Sequence, residues 1–168
     1  MAKERVIIPG AGDNRALRDA FGSFTTGVTV VTAAGPSGPV GMTANSFTSV
    51  SLEPPLVLWS AARSSSRHAT FRAAAHFAIH VLGQQQEAIA MAFARSAFSF
   101  DGVDWQTNGE GVPVITGTLA CFECRLHAVH DAGDHSLLIG EVMRATLRNG
   151  APLCFANGRF GSFSAFVP

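Results

Sequence analysis

The sequence predicts a mainly β protein, an antiparallel barrel with a few peripheral helices. Three observations predict it. Between residues 119 and 129, Ala120, Phe122, Cys124, Leu126 and Ala128 alternate with Cys121, Glu123, Arg125, His127 and Val129. One set is apolar and the other mixed, the period-two pattern of a half-buried strand. Short β-branched or apolar runs recur between turn signals such as Gly35-Pro36-Ser37-Gly38 and Asn157-Gly158. Strand segments outnumber helical ones and mostly adjoin a neighbour close enough to pair antiparallel, with no internal repeat.

The elements follow in order. Residues 1–12 are expected to be a flexible N-terminal arm, and 13–168 a single domain. From an N-cap at Asp13 or Asn14, apolar residues fall at Leu17, Ala20, Phe21 and Phe24, the spacing of an amphipathic helix that Gly27 ends. Residues 28–34, "VTVVTAA", read as a strand, and 40–51 as its antiparallel partner across the "GPSGP" turn. Leu56–Ala61 is a third, apolar strand. "SSSRHATFRAAA" opens on serines suited to a cap and continues as a short helix. "HFAIHVL" at 76–82 is a strand and "GQQQEAIAMAFAR" another helix. After the alternating strand, "DAGDH" at 131–135 turns the chain into "SLLIGEVMRATL". A last hairpin forms around Asn157-Gly158. Phe98 and Phe100 are read as core.

Composition narrows the function. With 168 residues, 47% hydrophobic and 14% charged, the chain can bury roughly 70% of its unfolded surface. Twelve basic residues balance twelve acidic ones, which points to neither a nucleic acid nor an anionic membrane as partner. No run approaches a membrane span, and "MAKERVIIPG" lacks a signal-peptide core, so a cytoplasmic protein is expected. Three cysteines suit reduced thiols better than a disulfide framework. So few surface charges around a core with 13 Phe also suit an oligomer.

Familiar catalytic signals fail on inspection. "GAGDNR" at 10–15 starts like a dinucleotide fingerprint, but Arg15 stands where the third glycine belongs and no strand precedes it. Cys121 and Cys124, three apart on a strand, point to opposite faces, and no second pair completes a zinc ribbon. His127, His130 and His135 share no dependable face, so no metal is expected. There is no G-x-S-x-G elbow and no spaced carboxylate pair. A chain without its own reactive groups can act through a bound cofactor. The uncharged donors and acceptors of Thr43, Asn45, Ser46, Thr48, Ser49 and Ser51 suit a planar heterocycle. "SAARSSSRH" at 60–68, with hydroxyls and two arginines, suits a phosphate. An ordinary Thr/Ser-rich edge strand and a simple helix cap would read the same way.

Taken together and in order, "TGVTVVT", "GMTANSFTSVSLEPPLV", "ARSSS", "HFAIHVLGQQQEAIAMAFA", "GVPVITGTLACFEC" and "AGDHSLLIGEV" resemble the short-chain flavin reductase family. These are the reductase components of two-component flavin-dependent monooxygenases. The likeness runs from about Leu17 to Phe160, and the block from Thr43 to Pro55 and the Gly133-Asp134-His135 turn are its most specific parts. The resemblance implies an antiparallel split β-barrel, the FMN-binding split barrel, assembled as a homodimer. It implies FMN or FAD as flavin, NADH or NADPH as electron donor, hydride transfer between them, and a separate flavin-dependent oxygenase that receives the reduced flavin. Carried over residue by residue, Thr43, Ala44, Asn45 and Ser46 hold the flavin ring. Ser60, Ala61, Arg63, Ser64 and Ser65 meet the ribityl chain and phosphate. His135 sits beside the nicotinamide, and Arg159 and Phe160 line the same pocket. The chain departs from the family at Trp59-Ser60-Ala61-Ala62, where some relatives carry Cys and Asn. "RSAFSFDGVDW" lacks a basic residue common before the position of Phe100. Both departures leave FMN against FAD open. A flavin-binding or carrier module without reductase activity, and an oxidase that retains its flavin, remain alternatives on the same fold.

Overall fold

The computed structural model describes residues 4–10 and 14–166. Helix α1 (Asn14–Gly22) is followed by the short strand β1 (Thr26–Gly27), then β2 (Thr29–Gly35), β3 (Gly38–Ala44), β4 (Thr48–Leu52) and β5 (Pro55–Ala62). Helix α2 (His68–Ala73), β6 (His76–Val81), a 3-10 turn over Gln84–Gln86 and helix α3 (Glu87–Arg95) come next. The remainder is β7 (Trp105–Thr107), β8 (Pro113–Ile115), the long β9 (Ala120–Ala132) and β10 (His135–Leu147), then β11 (Leu153–Ala156) and β12 (Arg159–Ser162). Residues 4–10 carry no helix or strand. Asp13, the alternative helix cap, lies outside the described residues.

Seven strands form one antiparallel sheet in the order β3-β2-β6-β9-β10-β5-β4. Its edges, β3 and β4, are joined by only Asn45, Ser46 and Phe47. The sheet curls so that one apolar cluster draws Val40 and Met42 from β3, Val57, Trp59 and Ala61 from β5, and Ile79 and Leu138 from the strands between. No ladder joins β3 to β4 or β5 among the described residues, so the curl is split at this seam. Ser46 bridges the gap: its hydroxyl accepts from Ser60 N at 2.9 Å and donates to Ser60 O at 3.2 Å.

Strand β2 is buried on both faces. Val31 and Ala33 enter the barrel cluster, whereas Val28 and Val30 join a second cluster with Ala90 and Phe93 of α3, Phe100, Ile115 and Leu153. Its two threonines are buried as well, and each hydroxyl donates to a backbone carbonyl, Thr29 to Ala44 O and Thr32 to Pro113 O. Helix α3 lies close on β3 because Gly41 has no side chain. A Cβ there would stand 2.5 Å from the Phe93 ring. The C-terminal end of α3 is held by Arg67, whose Nη1 donates to Phe93 O at 2.6 Å.

Several expectations need correction. Residues 40–51 are two strands, not one: β3 ends at Ala44, and β4 pairs with β5 on the opposite edge, with a bulge between Ser49 and Ser51. A run of β-formers with no Gly or Pro after Gly41 conceals a change of partner. Helix α1 stops at Gly22, so Phe24 lies outside it, and Thr26–Gly27 pairs with β11. The cap of α2 is Arg67 and not a serine; Ser65 Oγ instead accepts from Arg67 N in the preceding turn. The mixed face of β9 is buried at Cys121 and Glu123, because the β7–β8 hairpin covers it: Asn108 Nδ2 donates to Glu123 Oε2 at 2.6 Å. Phe100 is core, but Phe98 is 63% exposed. The Asn157-Gly158 hairpin is as expected, both residues having left-handed φ (49° and 76°), the type I′ geometry that this dipeptide favours.

Candidate active site

Two adjoining clefts, about 560 Å³ and about 460 Å³, open where α1, β1, the β3–β4 connection and the β11–β12 hairpin meet. They share Phe24, Thr26 and Asn45. The larger is walled by Phe21 and Phe155, with Arg18 and Asp19 along α1 and Asn157-Gly158 at the hairpin tip. The smaller continues past Ser46 and Phe47 to Thr48. Asn157 N donates to Gly22 O at 2.7 Å, which ties the hairpin to the end of α1 and keeps the walls in register.

Thr26 is the informative residue. Its Oγ1 is buried and has no hydrogen-bond partner among the described residues. A buried hydroxyl left unpaired costs about 1–3 kcal/mol, so the site contains a hydroxyl that can donate to or accept from a ligand. Aromatic walls, an orphaned hydroxyl and the neutral amide of Asn45 fit a flat, acceptor-rich heterocycle such as a flavin ring. Trp59 Nε1 is similarly unpaired, but it lies in the core with its ring edge-on to Phe71 at 5.1 Å.

The expected ring-side residues divide by what their polar groups already do. Thr43 Oγ1 donates to Ala90 O at 2.6 Å and so faces α3. The carbonyl of Ala44 accepts from Thr29 Oγ1 at 2.7 Å. Ser46 spends its proton at the seam. Asn45, at the bend after β3, is exposed to both clefts. On the phosphate side, Ser60 and Ala61 lie within β5, and Arg63, Ser64 and Ser65 form the turns that follow it. Ser65 Oγ packs against Met42 Sδ at 3.7 Å, while Arg63 and Ser64 are exposed.

His135 is the first residue of β10, one position beyond the two-residue Gly133-Asp134 turn. It pairs in register with Ala62 at the end of β5, so the fold brings it beside the phosphate-side loop. Its Nδ1 bonds Asp134 Oδ1 at 2.8 Å, and that bond holds the Asp134 carboxyl below its usual range. Arg63 N donates to Asp134 O at 2.9 Å. Arg159 and Phe160 are placed differently. Phe160 packs on Phe155 with ring centroids 5.3 Å apart, and Arg159 is exposed. Their hairpin reaches the cleft through Phe155, Asn157 and Gly158. Those residues, with Phe24 and Thr26, are the ones that reading the sequence missed. Nothing local marks them, because each belongs to a connection or hairpin whose neighbours are distant in the chain.

The chain supplies no thiolate nucleophile here. Burial pushes the Cys121 and Cys124 thiols up to about 12, and they belong to different apolar clusters. A split antiparallel sheet with an aromatic-walled cleft beside its seam defines a split-barrel protein with a site suited to a flat heterocycle.

The chain belongs to the flavin reductase-like family: the family described as "Flavin reductase like domain" matches residues 21–164. It is similar to the FMN reductase (NADH) SmoA of Agrobacterium fabrum, 60% identical over 164 residues, 98% of this chain and 94% of that protein. It is 47% identical over 148 residues to the reductase component of the flavin-dependent trigonelline monooxygenase of Acinetobacter baylyi. That match covers 87% of this chain and 48% of the relative, so the chain spans about half of that protein. Among solved structures, the NADH:FAD oxidoreductase SgcE6 of Streptomyces globisporus C-1027 superposes with a TM-score of 0.92 at 42% identity. The match covers 100% of this chain and 96% of that one.

Proposed function

We propose that this chain is an NADH-dependent flavin reductase that accepts FMN or FAD as an exchangeable flavin and passes the reduced flavin to a separate flavin-dependent oxygenase. The observation that carries the reading is the cleft shared by Thr26 and Asn45, with its unpaired buried hydroxyl and aromatic walls. The names of the relatives support flavin as substrate and NADH as donor. The oxygenase partner is supported by the monooxygenase reductase relative.

When bound, the flavin supplies the hydride acceptor. The chain's own residues orient and enclose. Thr26 and Asn45 would bond the ring, with the backbone around Thr43, Ala44 and Ser46 beside it. Ser60, Ala61, Arg63, Ser64 and Ser65 follow the ribityl chain to the phosphate, with Arg63 meeting its charge. His135, held by Asp134, would border the nicotinamide, and the hairpin that carries Arg159 and Phe160 would reach it through Phe155 and Asn157. Hydride transfer needs ring stacking at roughly 3–3.5 Å and no general base.

A homodimer is part of the proposal, supported by large apolar side chains left open on β4 and β10, such as Leu52 at 90% and Leu147 at 83% exposed. A cytoplasmic setting is supported by three free cysteines. No described helix is long and apolar enough to cross a membrane. The test is NADH and NADPH oxidation with and without FMN, FAD or riboflavin. Flavin-dependent oxidation of NADH is expected. Flavin that binds but stays oxidised with both donors would leave a carrier instead.

A further inference from the structure

We propose that Ser136 is a positioning residue that staples the flavin-phosphate loop to the nicotinamide-side histidine, so that the two ligands are held by one coupled unit. The inference rests on the reductase reading above. Ser136, on β10 directly after His135, is 0% exposed. Its Oγ lies 2.9 Å from His68 Nε2, 3.2 Å from Arg72 Nη1 and 3.3 Å from Asp131 Oδ1. Arg72 Nη1 also meets Asp131 Oδ1 directly at 2.8 Å.

Valence settles the directions. A hydroxyl has one proton and two lone pairs. Asp131, an ionised carboxylate held low by Arg72, can only accept, so it takes the Ser136 proton. Arg72 can only donate and fills one lone pair. The second is then filled by an N–H at His68 Nε2. All three hydrogen-bonding capacities of Ser136 are used, on side chains from α2 and β9.

Although serine, histidine and aspartate meet here, they do not form a nucleophilic triad. The aspartate bonds the serine and not the histidine, both serine lone pairs are taken by donors, and the hydroxyl is closed to solvent. The arrangement holds chain segments together. Residues 62–68 are fixed to the β9–β10 hairpin at both ends: Arg63 N donates to Asp134 O at 2.9 Å, and His68 meets Ser136. Within that span lie Arg63, Ser64 and Ser65; at its edge His135 pairs with Ala62. A loop anchored at both ends needs less ordering when a phosphate arrives. The same anchor sets where His135 stands.

The experiment measures flavin Kd by fluorescence quenching, KM for NADH and Tm for the full chain. The variants are Ser136→Ala, His68→Ala, His68→Gln, His135→Ala and the His135→Ala/Ser136→Ala double variant. Ser136→Ala is expected to weaken flavin binding about tenfold and raise KM for NADH several-fold. His68→Ala should follow it, and His68→Gln, which keeps a donor near Nε2, should recover most of the loss. In the His135→Ala background, removing Ser136 should leave KM for NADH unchanged while still weakening flavin binding. A lowered Tm with wild-type flavin Kd and KM overturns the proposal, as does an equal KM effect with and without His135. If Ser136→Ala does not fold, the two His68 variants decide between the same outcomes. A wild-type protein that oxidises no NADH with any flavin overturns the reductase reading itself, and the flavin Kd arm still decides whether the staple holds the loop.

Discussion

Replacing Thr26 by Val should move stability and flavin affinity in opposite directions. The two side chains have nearly the same shape, so the perturbation is the removal of one hydroxyl. In the free protein that hydroxyl is buried without a partner among the described residues. An unpaired buried polar group costs about 1–3 kcal/mol, and a methyl in its place carries no such penalty. Unfolding by urea without flavin should therefore show a gain of about 1 kcal/mol, with an unchanged slope. Bound flavin would lose one hydrogen bond, with a net worth of about 1 kcal/mol, or about fivefold in Kd. Fluorescence titration reads that loss. Stability that rises with affinity unchanged would remove Thr26 from the flavin site. A variant that loses stability would show that the hydroxyl is already satisfied in the free protein and that the reasoning from its burial is wrong.

Asn45→Ala should cost about 1–3 kcal/mol of flavin binding, because its amide faces both clefts; unchanged affinity in a folded variant would return residues 43–51 to a plain strand edge. Gly140→Ala should destabilise by about 1–3 kcal/mol, since the new Cβ would stand 2.6 Å from Phe77 Cζ and 2.9 Å from Cys124 Cβ; an unchanged urea midpoint would show that this part of the core yields freely. His80 should make the fold acid-sensitive. Its Nδ1 donates to Val30 O at 2.9 Å and its Nε2 accepts from Ile115 N at 3.0 Å, so the ring is neutral. Burial lowers its pKa from 6.5 to about 4, against the smaller raising effects of the Val30 bond and the Glu123 charge. A depressed folded pKa means that its stability is fully present above pH 6.5 and is lost as pH falls towards about 4. That amounts to about 3 kcal/mol. Urea midpoints of wild type and His80→Gln between pH 7 and pH 4 check it; parallel curves would count against a neutral buried His80.

Periodicity and turn chemistry alone revealed most strands, both longer helices and the Asn157-Gly158 hairpin, because those signals are written within a few residues of one another. Residues 40–51 show where such reading stops. The same β-forming residues serve two strands on opposite edges of the sheet, and only closure of the barrel decides that Ser46 must bridge to Ser60. Likewise, nothing local distinguishes Phe98, left in solvent, from Phe100, which meets Phe93 at 4.9 Å.

The sequence by itself determined the class of this protein, through its β patterning and the ordered segments from Thr26 to Val142 that resemble flavin reductases. Asn45 and His135 are legible as candidates in those segments because each stands in a local motif. Only the tertiary structure decided that Thr26 carries an unpaired hydroxyl, that Phe155 and Asn157 wall the cleft, and that Ser136 joins α2 to Asp131 of β9. The physical reason is that an unpaired donor or a shared hydroxyl is a property of what surrounds an atom. Those surroundings come from residues far apart in the chain, as Phe155 is from Thr26 and Ser136 from His68, brought together by strand order and not by neighbours in sequence.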